Sequence, residues 1–152
     1  MSTEDTKAAQ DNLEKRLDSA YQRLSAAIAN LPREQAFKGT EWSVADCLSH
    51  VAPSSGGYSS MVESLINQEK PKAPAFSPDA RWAGLKEALT KEYHHCRSII
   101  HTASGDKWGK AVALADGSTR PVSEFVERMV AHFEDHANQI STQIVPRVQP
   151  KG

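Results

Sequence analysis

The sequence predicts an all-α protein, a four-helix bundle with long crossover-type connections and a small β-hairpin between its third and fourth helices. Four separate segments repeat apolar residues at the spacing of a helix. Twenty alanines and few large aliphatic residues suit helices that pack closely. The length of 152 residues suits one domain, so we expect residues 1–152 to fold as a single unit.

The charge and the polarity of the chain exclude two classes of partner. Its 18 basic and 19 acidic residues leave a net charge of −1, which offers no excess of positive charge to nucleic acid or to an anionic membrane. The polar, acid-rich start does not resemble a secretory signal, and no apolar run approaches the roughly 20 residues that span a bilayer. We therefore expect a cytoplasmic protein, in which Cys47 and Cys96 are reduced, buried thiols rather than one structural disulfide.

The first helix is predicted over residues 3–31, and Pro32 follows its end. Its apolar side chains fall within an arc of roughly 60° on the helical wheel, which is the narrow buried face of a bundle helix. These side chains are Leu13, Leu17, Leu24, Ile28 and Leu31.

The second helix is predicted over residues 44–67. Ser43, followed three positions later by Asp46, resembles a capping box with aspartate in place of glutamate. Pro53 and a Gly-Gly pair shortly after it interrupt the pattern. We therefore expect a kink or a local break of the helix near Pro53.

The third helix is predicted over residues 78–103 and the fourth over residues 122–145. Ser77 and Pro78 suit the N-cap and the first position of the third helix. Pro146 is expected to stop the fourth helix.

Two connections determine the predicted topology. Residues 68–77 contain two prolines, and an extended segment of this length covers about 30 Å, as far as a 20-residue helix reaches. A crossover is therefore permitted, and we expect a bundle that is not plain up-down-up-down. Between the third and fourth helices, Asp116-Gly117 favours a tight turn that joins strands at 111–115 and 119–122 into a hairpin.

The six histidines divide by their positions on the helical wheels. His132 and His136 are four residues apart and share the arc of the apolar side chains of the fourth helix, so both imidazoles are expected to point into the bundle. His50 lies at the edge of the apolar face of the second helix and can also face inward. The histidines of the third helix lie off its apolar face and are expected to be solvated: His94, His95 and His101.

Three inward imidazoles have two interpretations. Protein neighbours alone can satisfy buried ring nitrogens by hydrogen bonding. Alternatively, three neutral histidines from two helices suit Zn²⁺, Ni²⁺ or Fe²⁺. Three protein ligands leave coordination positions open, which is typical of a reactive site rather than a purely structural one. The chain contains no Cys-x-x-Cys, glycine-rich phosphate loop or His-Glu-x-x-His motif that would indicate another chemistry.

Two motifs resemble those of the DinB/YfiT-like family of metalloenzymes. The segment 41–51, EWSVADCLSHV, resembles the WS-x-x-D-x-L-x-H-V signature that opens the second helix of that family. The segment 129–140, MVAHFEDHANQI, resembles its closing H-x-x-x-H-x-x-Q-I helix. The resemblance implies a four-helix bundle of unusual connectivity, often dimeric, that holds one divalent metal ion on three histidines. Carried over to this chain, the ligands are His50, His132 and His136.

Three further side chains are candidates for the surroundings of this centre. Asp46 lies one turn before His50 and is expected to cap its helix, with orientation of the His50 ring as the alternative. Asp135 is either a solvated charge or a residue that orients His132. Trp42 is expected to anchor packing rather than to contact substrate.

The resemblance also implies a function, because some relatives are thiol S-transferases and thiol-dependent isomerases. We therefore expect a metal-dependent enzyme with a low-molecular-weight thiol cosubstrate, and no catalytic residue of the chain itself is assigned. Hydrolysis by a metal-bound water is a second enzymatic variant. The alternative class is a non-catalytic small-molecule-binding or stress-response protein in which the metal is structural or absent. The expected partners are a small-molecule substrate, the thiol and a second copy of the chain in a homodimer.

Overall fold

A long first helix and a short second one begin the fold. The computed structural model describes five stretches of the chain: 3–39, 42–53, 57–67, 81–103 and 105–148. Helix α1 spans Thr3–Ile28 and helix α2 spans Arg33–Ala36. The first predicted helix is confirmed, but its predicted end at Leu31 is too late. Leu31 precedes Pro32, and the residue before a proline disfavours helical geometry.

The second predicted helix is in fact two helices. Helix α3 spans Val44–Val51 and helix α4 spans Tyr58–Ile66. The backbone leaves helical geometry at Ala52, with φ −132° and ψ 68°, because Pro53 follows it. The expected break near Pro53 is therefore confirmed, and residues 54–56 within it lie outside the described residues.

A capping box starts α3 as predicted. The Asp46 backbone N–H donates to Ser43 Oγ at 3.0 Å, and the Ser43 backbone N–H donates to Asp46 Oδ2 at 3.1 Å. Two backbone donors at the start of the helix are thus satisfied reciprocally. This cap determines where α3 begins.

Helix α5 spans Trp82–Thr102 and confirms the third predicted helix over that range. The predicted N-cap and the extended connection before it fall within residues 68–80, outside the described residues. At the start of α5, Trp82 Nε1 donates to the Leu31 carbonyl at 3.1 Å. This bond connects the start of α5 to the segment that follows α1.

The first two predicted helices, α1 and the pair of α3 and α4, are not neighbours in this bundle. Helix α1 packs mainly against α6, which spans Val122–Asn138, and also against α5. The pair α3 and α4 packs against α5 and α6. The first two predicted helices therefore lie diagonally opposite each other, whereas a plain up-down-up-down bundle places them side by side. The bundle is therefore not plain up-down-up-down, as expected. The helices on either side of residues 68–77, where the sequence permits a crossover, are neighbours, and the diagonal connection joins α1 to α3 instead.

A two-stranded hairpin precedes α6. Strand β1 spans Ala111–Ala113 and pairs antiparallel with strand β2 over Thr119–Pro121. The Leu114 N–H donates to the Ser118 carbonyl at 2.8 Å, and the Gly117 N–H donates to the Leu114 carbonyl at 3.0 Å. Gly117 closes this three-residue loop at φ +86°, where glycine is favoured. The hairpin is confirmed, with shorter strands than predicted.

The last helix changes its pitch rather than ending. Helix α6 continues into a π-helix over Gln139–Ile144 and then into helix α7 over Val145–Val148. The predicted stop at Pro146 is wrong. The Val145 N–H donates to the Ile140 carbonyl five residues back, and this wider turn accommodates a proline ring that clashes with the preceding turn of an α-helix.

The core lies between all four long helical segments. Its largest fully buried side chains come from each of them: Leu17, Leu24, Leu48, Leu89, Ile99, Met129, Phe133 and Ile140. Within the described ranges, no helix combines the length and the apolar character that crossing a membrane requires. The packing places α3 against α6, and the candidate site lies at this contact.

Candidate metal centre

Three imidazoles converge where α3 meets α6. His50 lies in the last turn of α3, and His132 and His136 lie one turn apart on α6. One nitrogen of each ring lies within 4.8 Å of the corresponding nitrogens of the other two. The Nε2 atoms of His132 and His136 are 3.2 Å apart. The structure thus brings together the three histidines that the two sequence motifs indicate.

This donor set suits a divalent transition-metal ion. With zinc–nitrogen distances of about 2.0–2.1 Å, two ligands of a tetrahedral ion lie roughly 3.3 Å apart. The distance of 3.2 Å between Nε2 of His132 and Nε2 of His136 is close to this value. Imidazole nitrogens are common ligands of zinc, nickel and iron. The cluster could therefore hold one metal ion and leave coordination positions for other ligands.

The electrostatics of the cluster keep its inner rings neutral. Burial lowers the pKa of His132 to about 4, helped by the neighbouring His136 and His50. Burial also lowers the pKa of His136, although a hydrogen bond to Gln139 opposes this change. Since a metal ion binds the neutral form of imidazole, both side chains are in the binding-competent form at pH 7.

The three rings differ in their access to solvent. His50 is exposed, whereas His132 and His136 are half-buried. A ligand from solution therefore approaches the cluster from the side of His50.

Two side chains contact Nδ1 of His136 from behind the cluster. Gln139 Oε1 lies 3.1 Å from this nitrogen, and because a carbonyl oxygen only accepts, Nδ1 is the donor. The lone pair of His136 is then on Nε2, which faces His132. Cys47 Sγ lies 3.3 Å from the same Nδ1 and 3.6 Å from Gln139 Oε1. Neither Cys47 nor Gln139 was predicted to contact the centre, although each lies within one of the two motifs.

Two aromatic rings flank the cluster. The ring centroid of Trp42 lies 5.3 Å from that of His50 and 6.3 Å from that of His136. The ring of Tyr58, the first residue of α4, lies 5.3 Å from that of His132. Trp42 is 44% exposed, so the expectation that it anchors packing is wrong. It precedes the N-cap Ser43, and its ring lies over the imidazoles instead of entering the core.

The two candidate carboxylates near the centre have different roles. Asp46 caps α3 through Oδ2, which confirms the capping interpretation. Asp135 is exposed, and its negative charge partly opposes the lowering of the pKa of His132 and of His136.

The remaining histidines lie outside the cluster. His94 and His101 are exposed as expected, and His101 Nε2 lies 3.0 Å from a Glu14 carboxylate oxygen. The expectation for His95 is wrong, because this ring is half-buried between α4 and α5, with Ser59 and Glu63 as partners. Helix α4 packs on the polar side of α5 that carries His95. The apolar pattern of α5 does not indicate that another helix covers this side.

Both cysteines are buried and neither forms a disulfide, as expected. Burial, followed by the charge of Asp46, raises the pKa of the Cys47 thiol to about 12. Burial, followed by the charge of Glu92, raises the pKa of Cys96 well above its usual range. Both thiols are therefore protonated at neutral pH, and a protonated thiol is a poor nucleophile.

Comparison with known families agrees with the sequence motifs. The family model described as the DinB superfamily matches residues 16–140. This range runs from α1 into the π-helix and contains all three clustered histidines. No curated protein and no solved structure gives a significant match.

Proposed function

The chain belongs to the DinB superfamily, and from this premise we propose that it is a metal-dependent enzyme with a low-molecular-weight thiol as cosubstrate, of the S-transferase or isomerase type. The observation that carries the proposal is the convergence of His50, His132 and His136. A divalent ion held there would supply the positive charge that binds and deprotonates a thiol at an open position.

The chain's own residues support this chemistry in three ways. His132 and His136 are neutral at pH 7, so the ligands do not cancel the charge of the ion. Gln139 orients His136 so that its Nε2 lone pair faces the cluster. The exposure of His50 leaves one side of the centre open to a ligand from solution.

Within the described residues, the lack of an activated protein nucleophile near the cluster also favours an external thiol. Cys47 contacts His136, but its thiol is buried and its pKa is raised to about 12. The Ser59 hydroxyl is bonded to His95, yet Ser59 is fully buried. Neither residue, among the parts of the chain that the structure describes, is placed to attack a substrate. The attacking group is therefore proposed to come from the cosubstrate.

The proposal extends to the ion and the partners. Zinc or nickel is the proposed ion, with ferrous iron as the third choice, because all three accept imidazole ligands. The enzyme is proposed to act on a small molecule as a cytoplasmic homodimer, without a nucleic-acid or membrane partner. Its net charge of −1 agrees with this set of partners.

Cobalt substitution tests the proposal. Protein loaded with Co²⁺ and titrated with small alkyl thiols is expected to develop an intense sulfur-to-cobalt charge-transfer band that saturates. The His95→Ala variant should show the same band, since His95 lies outside the cluster. If no thiol produces the band at full cobalt occupancy, the thiol-dependent function is wrong. Metal-assisted hydrolysis or non-catalytic binding of a small molecule then becomes the better interpretation.

A further inference from the structure

Trp42 is unusual among the large hydrophobic side chains that the structure describes. It is 44% exposed, whereas Trp82 and Trp108 are buried, at 8% and 3%. Exposed indole surface is unfavourable in water. Beside a candidate site, such a side chain offers an apolar surface that a bound molecule can cover.

The orientation of Trp42 relates it to the open side of the centre. Its ring is edge-on to His50, at 74° between planes, and nearly parallel to His136, at 11°. A metal ion bound to a histidine lies in the plane of the imidazole ring. Because the Trp42 ring is nearly parallel to the His136 ring, the face of the indole lies alongside the plane in which an ion bound to His136 would lie. His50, the neighbour of Trp42, is also the exposed member of the cluster. Trp42 thus lies on the side from which a ligand from solution approaches.

Tyr58 provides a second aromatic ring, which lies beside His132. Its ring is tilted by only 28° from that of His132, and Tyr58 is half-buried. Trp42 precedes α3 and Tyr58 begins α4, so the two rings come from opposite ends of the segment that carries His50. The centre is therefore flanked by one aromatic ring beside His50 and His136 and by another beside His132.

We infer that Trp42 and Tyr58 make this centre selective for ligands that carry a planar, uncharged aromatic group next to the metal-binding atom. The inference rests on the proposed function, because it concerns the molecule that occupies the open positions. An indole face also attracts organic cations. A divalent ion held a few ångströms away repels a cation, so a neutral aromatic group is the better occupant.

A matched pair of thiols tests the inference on cobalt-loaded protein. Phenylmethanethiol and cyclohexylmethanethiol present the same sulfur, the same methylene and a six-carbon ring, but only the first ring is aromatic. The concentration dependence of the charge-transfer band gives the affinity for each. The wild type is expected to bind the aromatic thiol about two- to tenfold more tightly, the range of a specific aromatic contact.

Substitutions at Trp42 separate aromatic contact from simple bulk. Trp42→Leu should remove the preference and Trp42→Phe should keep most of it. Tyr58→Leu should also reduce it, and an unchanged preference in this variant would exclude Tyr58 from the selectivity. Because Trp42 is exposed, its replacement leaves the core unchanged, and the cobalt content of each variant verifies that the cluster is intact.

The outcomes distinguish this inference from the proposed function. If the wild type binds both thiols equally, or if Trp42→Leu keeps the preference, the aromatic selectivity is wrong while thiol binding stands. If neither thiol gives a band, the thiol function is wrong. Phenylacetate and cyclohexylacetate, followed through the visible bands of cobalt, then decide the selectivity. Equal affinity for these two carboxylates overturns it, and a preference for phenylacetate that Trp42→Leu removes supports it.

Discussion

Two sites in the described part of the bundle use the imidazole ring in different ways: the cluster of His50, His132 and His136, and the His95 cluster, in which one histidine contacts Ser59 and Glu63. Around His95, both ring nitrogens have partners from α4: Ser59 Oγ lies 2.7 Å from Nδ1, and Glu63 Oε2 lies 2.8 Å from Nε2. At the contact of α3 and α6, by contrast, Nε2 of His132 and Nε2 of His136 face each other. Protein partners occupy the first imidazole completely, whereas the second arrangement leaves nitrogen lone pairs that a metal ion can use.

The His95 cluster continues into a buried carboxylate that holds the start of α4. Glu92 is 7% exposed and accepts from the backbone N–H groups of Gly57 and Ser59, each at 3.2 Å. These donors have no partner within their own helix, and a negative charge there is favourable. This cluster is therefore a structural joint between α4 and α5. It also positions Tyr58, which lies between the two bonded residues.

The largest expected effect concerns metal binding itself. His136→Ala is expected to abolish binding of the divalent ion, because it removes one of three ligands. His95→Ala should retain about one ion per chain, the content expected of the wild type. Elemental analysis of protein purified without an affinity tag measures both. Loss of the ion in the His95 variant would remove the functional distinction between the two clusters.

The structural joint is tested by Gly57→Ala. A methyl group at this position would lie 2.6 Å from Glu92 Cδ, so the carboxylate must move and weaken its bonds to the start of α4. The free energy of unfolding is expected to fall by about 1–3 kcal/mol, measured by urea denaturation. Gly109→Ala is the matched control, since nothing lies within 4 Å of the added methyl group there. Equal stability of the two variants would contradict the role of the joint, and metal content should be unchanged in both.

Gln139 provides a finer test of the metal centre. Gln139→Ala is expected to weaken metal affinity about 10- to 100-fold, because His136 loses the acceptor that orients its ring. Gln139→Glu should retain the affinity, since a carboxylate oxygen also accepts from Nδ1. Gln143→Ala, an exposed position one turn further on, is the control. Affinities come from competition with a chelator, and a Gln139→Ala affinity equal to that of the control would show that the contact does not orient the ligand.

The last test concerns the pH dependence of the metal-free protein, and its effect vanishes at neutral pH. His132 has a pKa of about 4 when folded, mainly because of burial, against about 6.5 in an unfolded chain. Above pH 6.5 the ring is neutral in both states and contributes nothing. As the pH falls from about 6.5 to 4, the unfolded chain takes up a proton that the folded protein does not, so stability decreases. Urea midpoints across this range should fall less steeply for His132→Gln, and identical slopes would contradict the shift.

Much of the local structure could be predicted from single segments. The cap at Ser43 and Asp46, the break at Pro53 and the turn at Gly117 each depend on residues within a few positions of one another. Spacing alone also indicated that His132 and His136 share a face, because four residues are close to one helical turn. The end of the last helix was missed, since Pro146 is tolerated only after the π-helix that precedes it.

The sequence by itself determined the helices, their breaks, the hairpin and, through two motifs, the three histidines of the candidate centre. The tertiary structure alone decided that α1 lies diagonally opposite α3 and α4, that His95 is held between two helices, and that Cys47, Gln139 and Trp42 surround the clustered rings. The reason is geometric. Periodicity gives the angle of a side chain about its own helix axis, whereas a contact between helices also depends on the rotation, tilt and displacement of one axis relative to another.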